Sequence, residues 1–384
     1  MKLVLVCNAG SSSLKFALYR WPKGDWIGGG EFAEIGTPNE RLSYHIIRTR
    51  RQTKLRRGIT HRQAAKMLMK ILADQGITRS GLLAIGHRIV VAPPYSRTVR
   101  ISAAVERAIE RAIPLAPLHN PPALAVFKEL RPSYPLTNIA CFDTAYFADL
   151  PAAARTYAID DRIASRYGIR KIGFHGFSHS AAAQLAARTL RRPLRSLRLL
   201  SVHLGAGSSV AAIKHGKPVD TSMGFTPLAG LVMAKRAGDL DPGILLYLLE
   251  QGWSWRQLAT MLNERSGLRG LTGFTSDMRE VLAAAGYAVR GFATSLRPTS
   301  AQKKRARLAL QVFQQRLKKY LGGYAVILGR VDAIIFSGAM GERNATVRKL
   351  ILNQLRLPGQ PKVIVVHADE ERQMFREVKR FLKR

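Results

Sequence analysis

The apolar and polar positions of this chain repeat one arrangement. Leu3 to Cys7 is an apolar, β-favouring run that leads into Asn8-Ala9-Gly10-Ser11-Ser12-Ser13 and then the more mixed Leu14 to Tyr19. Near mid-chain, Leu199 to Leu204 is followed by Gly205-Ala206-Gly207-Ser208-Ser209 and the apolar Val210 to Ile213. Each stretch predicts a strand, a small-residue turn and a second strand. The tetrapeptide Ala-Gly-Ser-Ser occurs at 9–12 and again at 206–209, which suggests two copies of one hairpin unit, one per domain.

Ala65, Leu68 and Leu72 stand at helical spacing within Gln63 to Ala73, and Ala103 to Ile113 reads the same way. A third strand is predicted over Val331 to Phe336, entering the loop Ser337-Gly338-Ala339-Met340-Gly341. Asn344 then caps a helix carrying Val347, Leu350, Ile351 and Leu355. A strand, a glycine loop and a helix N-terminus in series favour phosphate. Strands alternating with helices give an α/β protein, and 384 residues are enough for two domains with a cleft between them.

Composition adds one anomaly. The 61 Lys and Arg against 25 Asp and Glu give a net charge of +36, a field that attracts anions. The cations lie at Arg48 to Arg57, Arg188 to Arg198, Lys303 to Arg307 and Lys379 to Arg384, spread along the chain without forming one arm. They lack interleaved aromatics and sit in no recognisable nucleic-acid-binding module, so nucleic acid is disfavoured as a partner, and a basic character shared across the proteome or an ionic adaptation of the source organism is the preferred explanation. Cys7 and Cys141 read as reduced, buried thiols of a cytoplasmic protein. The first apolar run is too short for a signal-peptide core, and no run approaches the roughly 20 apolar residues of a membrane helix.

Small residues after a strand let backbone N–H groups approach phosphate, and serine hydroxyls add donors. Two such turns facing each other would grip a triphosphate, although neither matches the P-loop pattern. Lys15 lies just beyond the first turn. Histidines stand in unusual settings at His87, His119, His175, His179 and His203, but no zinc-binding helix motif accompanies them. Acidic residues are scarce, which draws notice to Asp143 and Asp277.

Taken in order, VLVCNAGSSSLKF (4–16), GHRIV (86–90), LAPLHNP (115–121), FDTAY (142–146), IGFHGFSH (172–179), HLGAGSSVAAIKHGKPVDTSMGFTPLAGL (203–231), SGLRGLTGFTSDMREV (266–281) and FSGAMGE (336–342) resemble the acetate kinase family over nearly the whole length. The resemblance implies a two-domain actin-like ATPase fold of the ribonuclease H-like type, with duplicated βββαβαβα domains. One domain would be residues 1–146 with 372–384. The other, 147–371, would bind nucleotide and dimerise.

The resemblance further implies reversible transfer of the ATP γ-phosphoryl group to acetate, with Mg²⁺, or Mn²⁺ in its place, in a cytoplasmic homodimer. Asn8 and Glu370 would hold the metal. Lys15, Ser11 and Ser13 with His203, Leu204, Gly205, Ala206 and Gly207 would line the phosphate path. Asp277, Met278 and Arg279 with Gly338, Ala339, Met340, Gly341, Glu342 and Arg343 would hold the nucleotide. Arg88 would bind the acetate carboxylate, with His119 beside it and Val90, Leu118, Phe174 and Pro227 around the methyl end. His175 and Arg236 would stabilise the transition state, with Asp143 near the reaction centre.

The chemistry is coherent with that set. A carboxylic acid of ordinary pKa is already ionised at neutral pH, so the nucleophile needs no base. The obstacle is anion–anion repulsion, which cations remove, and Asp143 is read as orienting an arginine or metal-bound water. The chain departs from the family pattern after Val90, where Val91-Ala92-Pro93-Pro94 replaces a His-Gly-Gly segment with a stiffer one. It departs again at Ala339, Met340 and Arg343, at Phe147, and at His367-Ala368 before the terminal Glu-Glu pair. A propionate or other short-acyl kinase is the near alternative. A basic nucleic-acid-binding protein on the same fold is the more distant one.

Overall fold

The structure, a computed structural model, describes residues 2–55, 58–134, 136–367 and 369–384; Arg56, Arg57 and Ala368 of the sequence features above lie outside them. The chain forms two compact units, Met1–Ala148 with Asp369–Arg384, and Asp149–Ala368.

The first unit is built on a sheet of β1 (Leu3–Ala9), β2 (Ser13–Arg20), β3 (Trp26–Ala33), β4 (Arg41–Ile46), β5 (Thr49–Lys54), β6 (Leu82–Ile89), β7 (Val99–Arg100) and β8 (Thr137–Phe142), in the order β5-β4-β3-β2-β1-β6-β8-β7. β1 is buried along its whole length, as a strand covered on both faces must be, and runs parallel to β6, which runs parallel to β8. β1, β2 and β3 are antiparallel neighbours. The helix His61–Asp74 opens on a capping box between Thr60 and Gln63. The closing helix Glu370–Leu382 returns to this unit and buries Met374, Phe375 and Val378.

The second unit repeats the plan with β9 (Arg198–Leu204), β10 (Ser208–Lys214), β11 (Lys217–Thr221), β12 (Ala333–Ser337) and β13 (Lys362–Val365), in the order β11-β10-β9-β12-β13. Antiparallel β9, β10 and β11 followed by parallel β12 and β13 mirror β1, β2, β3, β6 and β8. The first unit adds β4, β5 and β7 to that shared pattern. A helix of 29 residues, Ser300–Leu328, starts at the Thr299–Gln302 capping box and buries Ala306, Leu310, Phe313, Leu317, Leu321 and Leu328 along one stripe.

Three sequence expectations need correction. The hairpin repeats, but its tetrapeptide does not keep register: Ser11 and Ser12 are exposed turn residues, whereas Ser208 and Ser209 already pair with Leu204 and His203 in the β10 ladder and are buried. Gly338 to Gly341 is not an open loop. Gly338 turns the chain at φ +75°, and Gly338–Arg343 is a short helix that begins directly on β12. Asn344 then caps Ala345–Leu352 through Val347 N–H at 3.0 Å, and that helix stops before Leu355.

Candidate active site

In the first unit the candidate side chains gather at the C-terminal ends of the parallel strands, where open α/β sheets bind ligands. Asn8 and Arg88 are the penultimate residues of β1 and β6, and Asp143 follows β8. The N-terminus of the last helix adds Glu370 and Glu371, whose negative charge its dipole favours. Arg88 donates from Nη2 to Asp143 Oδ2 at 2.9 Å and from Nη1 to Asn8 Oδ1 at 3.0 Å, and Nη1 lies 3.5 Å from Glu370. Asn8 Nδ2 donates to Glu370 at 3.0 Å and Glu371 at 2.7 Å. Burial opposes the charge on Arg88, but Asp143 and Glu370 outweigh it and raise its pKa. Burial, and then the charge of Glu370, raise Glu371 above the usual carboxylate range, with Lys15 pulling the other way. Lys15 stands opposite Asn8 across the β1–β2 ladder, with Ser11 in the turn between them and Ser13 opening β2.

This cluster suits a hard divalent cation. Its donors are amide and carboxylate oxygens, and Glu371 is raised by burial first and by the charge of Glu370 second, a setting that a bound cation would relieve. Among the described residues no three His, Cys, Asp or Glu side chains form a closed metal cage.

The segment beyond Arg88 is pinned by a residue the sequence reading passed over. Asn120, fully buried at the start of the helix Asn120–Ser133, donates to Val91 O at 2.8 Å. Val90 is buried, Leu118 is 38% exposed, and His119 immediately precedes that helix.

In the second unit His175 holds a left-handed φ of +59° just before the helix Gly176–Thr189. Its Nδ1 is 2.9 Å from Ser209 Oγ, which is also 2.8 Å from His179 Nε2, while His179 Nδ1 is 2.8 Å from Ser201 Oγ. His203 Nδ1 is 2.7 Å from Ser178 Oγ, itself 3.2 Å from Ser337 Oγ. The His175 and His203 rings lie 4.4 Å apart between centroids. Gly207 lies close by: a Cβ there would stand 3.3 Å from His175 Nε2, a tight approach, and 3.5 Å from Arg236 Nη1, ordinary contact. Those contacts bring His175, Gly207 and Arg236 together.

Arg236 has no carboxylate within 4.0 Å among the described residues; Nη1 reaches Pro227 O at 3.4 Å and Met233 S at 3.9 Å, and burial lowers its pKa. Phe174 is buried in this unit.

Beside this cluster lies a cavity of about 900 Å³ lined by Gly205, Ala206, Asp277, Met278, Arg279, Ala339, Met340 and Arg343, together with Arg290 and Phe292, which sequence reasoning missed. Asp277 caps the helix Met278–Ala285 and grips Arg279, with Oδ2 at 2.6 Å from Nη2. Burial alone would raise its carboxyl, and the Arg279 hydrogen bonds bring it below the usual range. Arg279 also lies over the Phe292 ring at 4.6 Å, giving the cavity a fixed guanidinium plane. Gly338 lets the short helix approach β9, since a Cβ there would meet Leu204 O at 2.6 Å, and Gly341 packs against Leu204. Glu342 pairs with His367 at 2.9 Å.

Comparison with known proteins fits this arrangement. The Acetokinase family model matches residues 3–378. Acetate kinase 2 of Photobacterium profundum is 40% identical over 370 residues, 96% of this chain and 89% of that protein, and the acetate kinase of Shouchella clausii is 40% identical over 94% and 88%. Among solved structures, a propionate kinase from Francisella tularensis superposes with a TM-score of 0.84 at 32% identity, covering 98% of this chain and 99% of that one. Porphyromonas gingivalis acetate kinase gives 0.80 at 31%, covering both completely. The repeated sheets are those of the two-domain actin-like fold, and this chain belongs to the acetokinase family.

Proposed function

We propose that this chain is an acetate kinase that reversibly transfers the γ-phosphoryl group of ATP to acetate, giving acetyl phosphate and ADP by direct in-line attack. The observation that carries the reading is Arg236: a part-buried guanidinium without a carboxylate partner among the described residues, grouped with His175 and the close-approach glycine Gly207. A cation left uncompensated in a protein interior favours an anion.

Acetate arrives ionised, so no residue has to remove a proton. Asn8 and Asp143 occupy two of the five guanidinium hydrogens of Arg88, leaving others for the substrate carboxylate. Asp143 therefore orients Arg88 and is not a base. Val90 and Leu118, with Phe174 and Pro227, surround the methyl end. Arg236 and His175 offset charge on the transferring group, and Lys15, Ser11 and Ser13 with His203 to Gly207 guide the phosphates. The cavity at Asp277 to Arg279 and Ala339 to Arg343 takes the nucleotide. Asn8 and Glu370, with Glu371, would hold Mg²⁺, which would supply charge neutralisation when bound.

The helix Pro242–Glu250 buries none of its residues and exposes Ile244, Leu246, Tyr247 and Leu249, with Trp255 70% exposed beyond it. Such a patch suits a homodimer interface. Two buried free thiols fit the cytoplasm, and no described helix is long and apolar enough to cross a membrane.

A propionate preference is the second reading, favoured by the Val91–Pro94 segment that Asn120 holds in place. One methylene discriminates by roughly 1 to 3 kcal/mol. Formation of ATP from acetyl phosphate and ADP, with Arg236→Ala as control, tests the mechanism; undiminished turnover in the variant would refute it. Ranking kcat/KM over acetate, propionate and butyrate decides the acyl group.

A further inference from the structure

The helix Ser300–Leu328 carries Lys303, Lys304, Arg305, Arg307, Arg316, Lys318 and Lys319 and no acidic residue. Only Arg316 has a carboxylate within 4.0 Å among the described residues, Asp239 at 3.3 Å. Helices of the first unit behave differently, with Arg62 on Glu129, Lys128 on Glu110 and Arg131 on Glu106. The first turn of the long helix also lacks the acidic residues that its dipole would favour, and cations take their place. Neither ion pairing nor the helix dipole accounts for this composition.

Folding collects charges that the sequence leaves scattered. At 3.6 residues per turn, Lys303, Lys304, Arg307, Lys318 and Lys319 fall within an arc of roughly 160° and span about 24 Å of helix. Two shallow depressions run along the helix, about 580 Å³ at Ser300, Lys303, Lys304, Arg307, Leu308 and Gln311, and about 390 Å³ from Gln311 to Lys319. None of these residues lines the nucleotide cavity.

We propose that this face docks the phosphate backbone of a nucleic-acid duplex. Two groups of cations, Lys303, Lys304 and Arg307 and then Lys318 and Lys319 about 16 Å further along the helix, flank Gln311 and Gln315 as hydrogen-bonding groups, a spacing that reaches separate phosphates of one backbone. The face offers no aromatic ring for stacking single-stranded bases. Leu308 is its one large apolar side chain more than half exposed between Ser300 and Lys319, too little for insertion into a bilayer. Binding is therefore electrostatic and independent of sequence.

The test is fluorescence anisotropy of a labelled 20-base-pair duplex of mixed sequence with the full chain between 50 and 200 mM salt. Five phosphate contacts predict a log–log salt slope of about −4.5, a loss of roughly 500-fold across that range. Replacing Lys303, Lys304, Arg307 and Lys319 by Gln reduces the slope by about 3.6, and the pair Lys303→Gln with Lys304→Gln reduces it by about 1.8. A control removes as much charge from the first unit through Gln at Arg50, Arg51, Lys54 and Lys70 and keeps the wild-type slope. Circular dichroism and thermal melting verify that each variant is folded. Equal weakening by helix and control variants, no duplex binding at 50 mM salt, or binding confined to anionic phospholipid vesicles would each overturn the proposal.

Discussion

Arg88 and Arg236 are both part-buried, yet they occupy opposite electrostatic settings. Arg88 sits among Asp143, Glu370 and Asn8, and its charge is stabilised before any ligand arrives. Arg236 has backbone oxygen and thioether neighbours, and burial works against its charge. The first arginine is tied into its own unit by charge, whatever it binds. The second has no such tie, which is the setting the proposed mechanism asks of a cation that meets an incoming anion.

That contrast breaks first at Arg88. Arg88→Ala is expected to lower the unfolding free energy by about 3 to 5 kcal/mol, because the buried Asp143 carboxylate loses the guanidinium that faces it. Replacing both, as Arg88→Met with Asp143→Leu, restores the melting temperature but not activity. Arg236→Ala reverses the pattern, with kcat falling by about 10² to 10³-fold while Tm holds or rises. Guanidinium added to the assay partly rescues that variant if the cation acts on the reacting group.

His87, next to Arg88 on β6, sharpens the comparison through pH. Burial lowers its pKa from 6.5 to about 4, partly offset by Asn138 at 2.8 Å. The unfolded chain therefore binds a proton between pH 6.5 and 4 that the folded chain refuses, so stability falls as pH drops through that window, by roughly 3 kcal/mol. His87→Gln should flatten that part of a calorimetric pH series. The smallest effect belongs to Ser209→Ala, which leaves His175 and His179 without their shared hydroxyl. It should cost about tenfold in kcat, with little change in KM for ATP.

Much of this was legible in the chain because it depends on local pattern. The strand–turn–strand units, the cap at Asn344 and the apolar stripe of the first helix follow from near-neighbour chemistry. The Asn8–Glu371 hydrogen bond joins residues 363 apart in sequence, and nothing local to either announces it. The repeated Ala-Gly-Ser-Ser pointed correctly to a repeated hairpin while misaligning it by two residues. Composition located the small residues, but strand pairing decides which of them turn and which are buried. Ser201 and Ser209 look like ordinary strand residues until the histidines of a separate helix reach them.

Ser209 has one hydrogen to give and two imidazoles to serve. If it donates to His179, it must accept from His175, and His179 then donates to Ser201; if it donates to His175, every link runs the other way. The four groups thus form a line of coupled rotors with two directions of travel. Turning the line round changes which nitrogen of a neutral His175 carries hydrogen, while every heavy atom stays where it is.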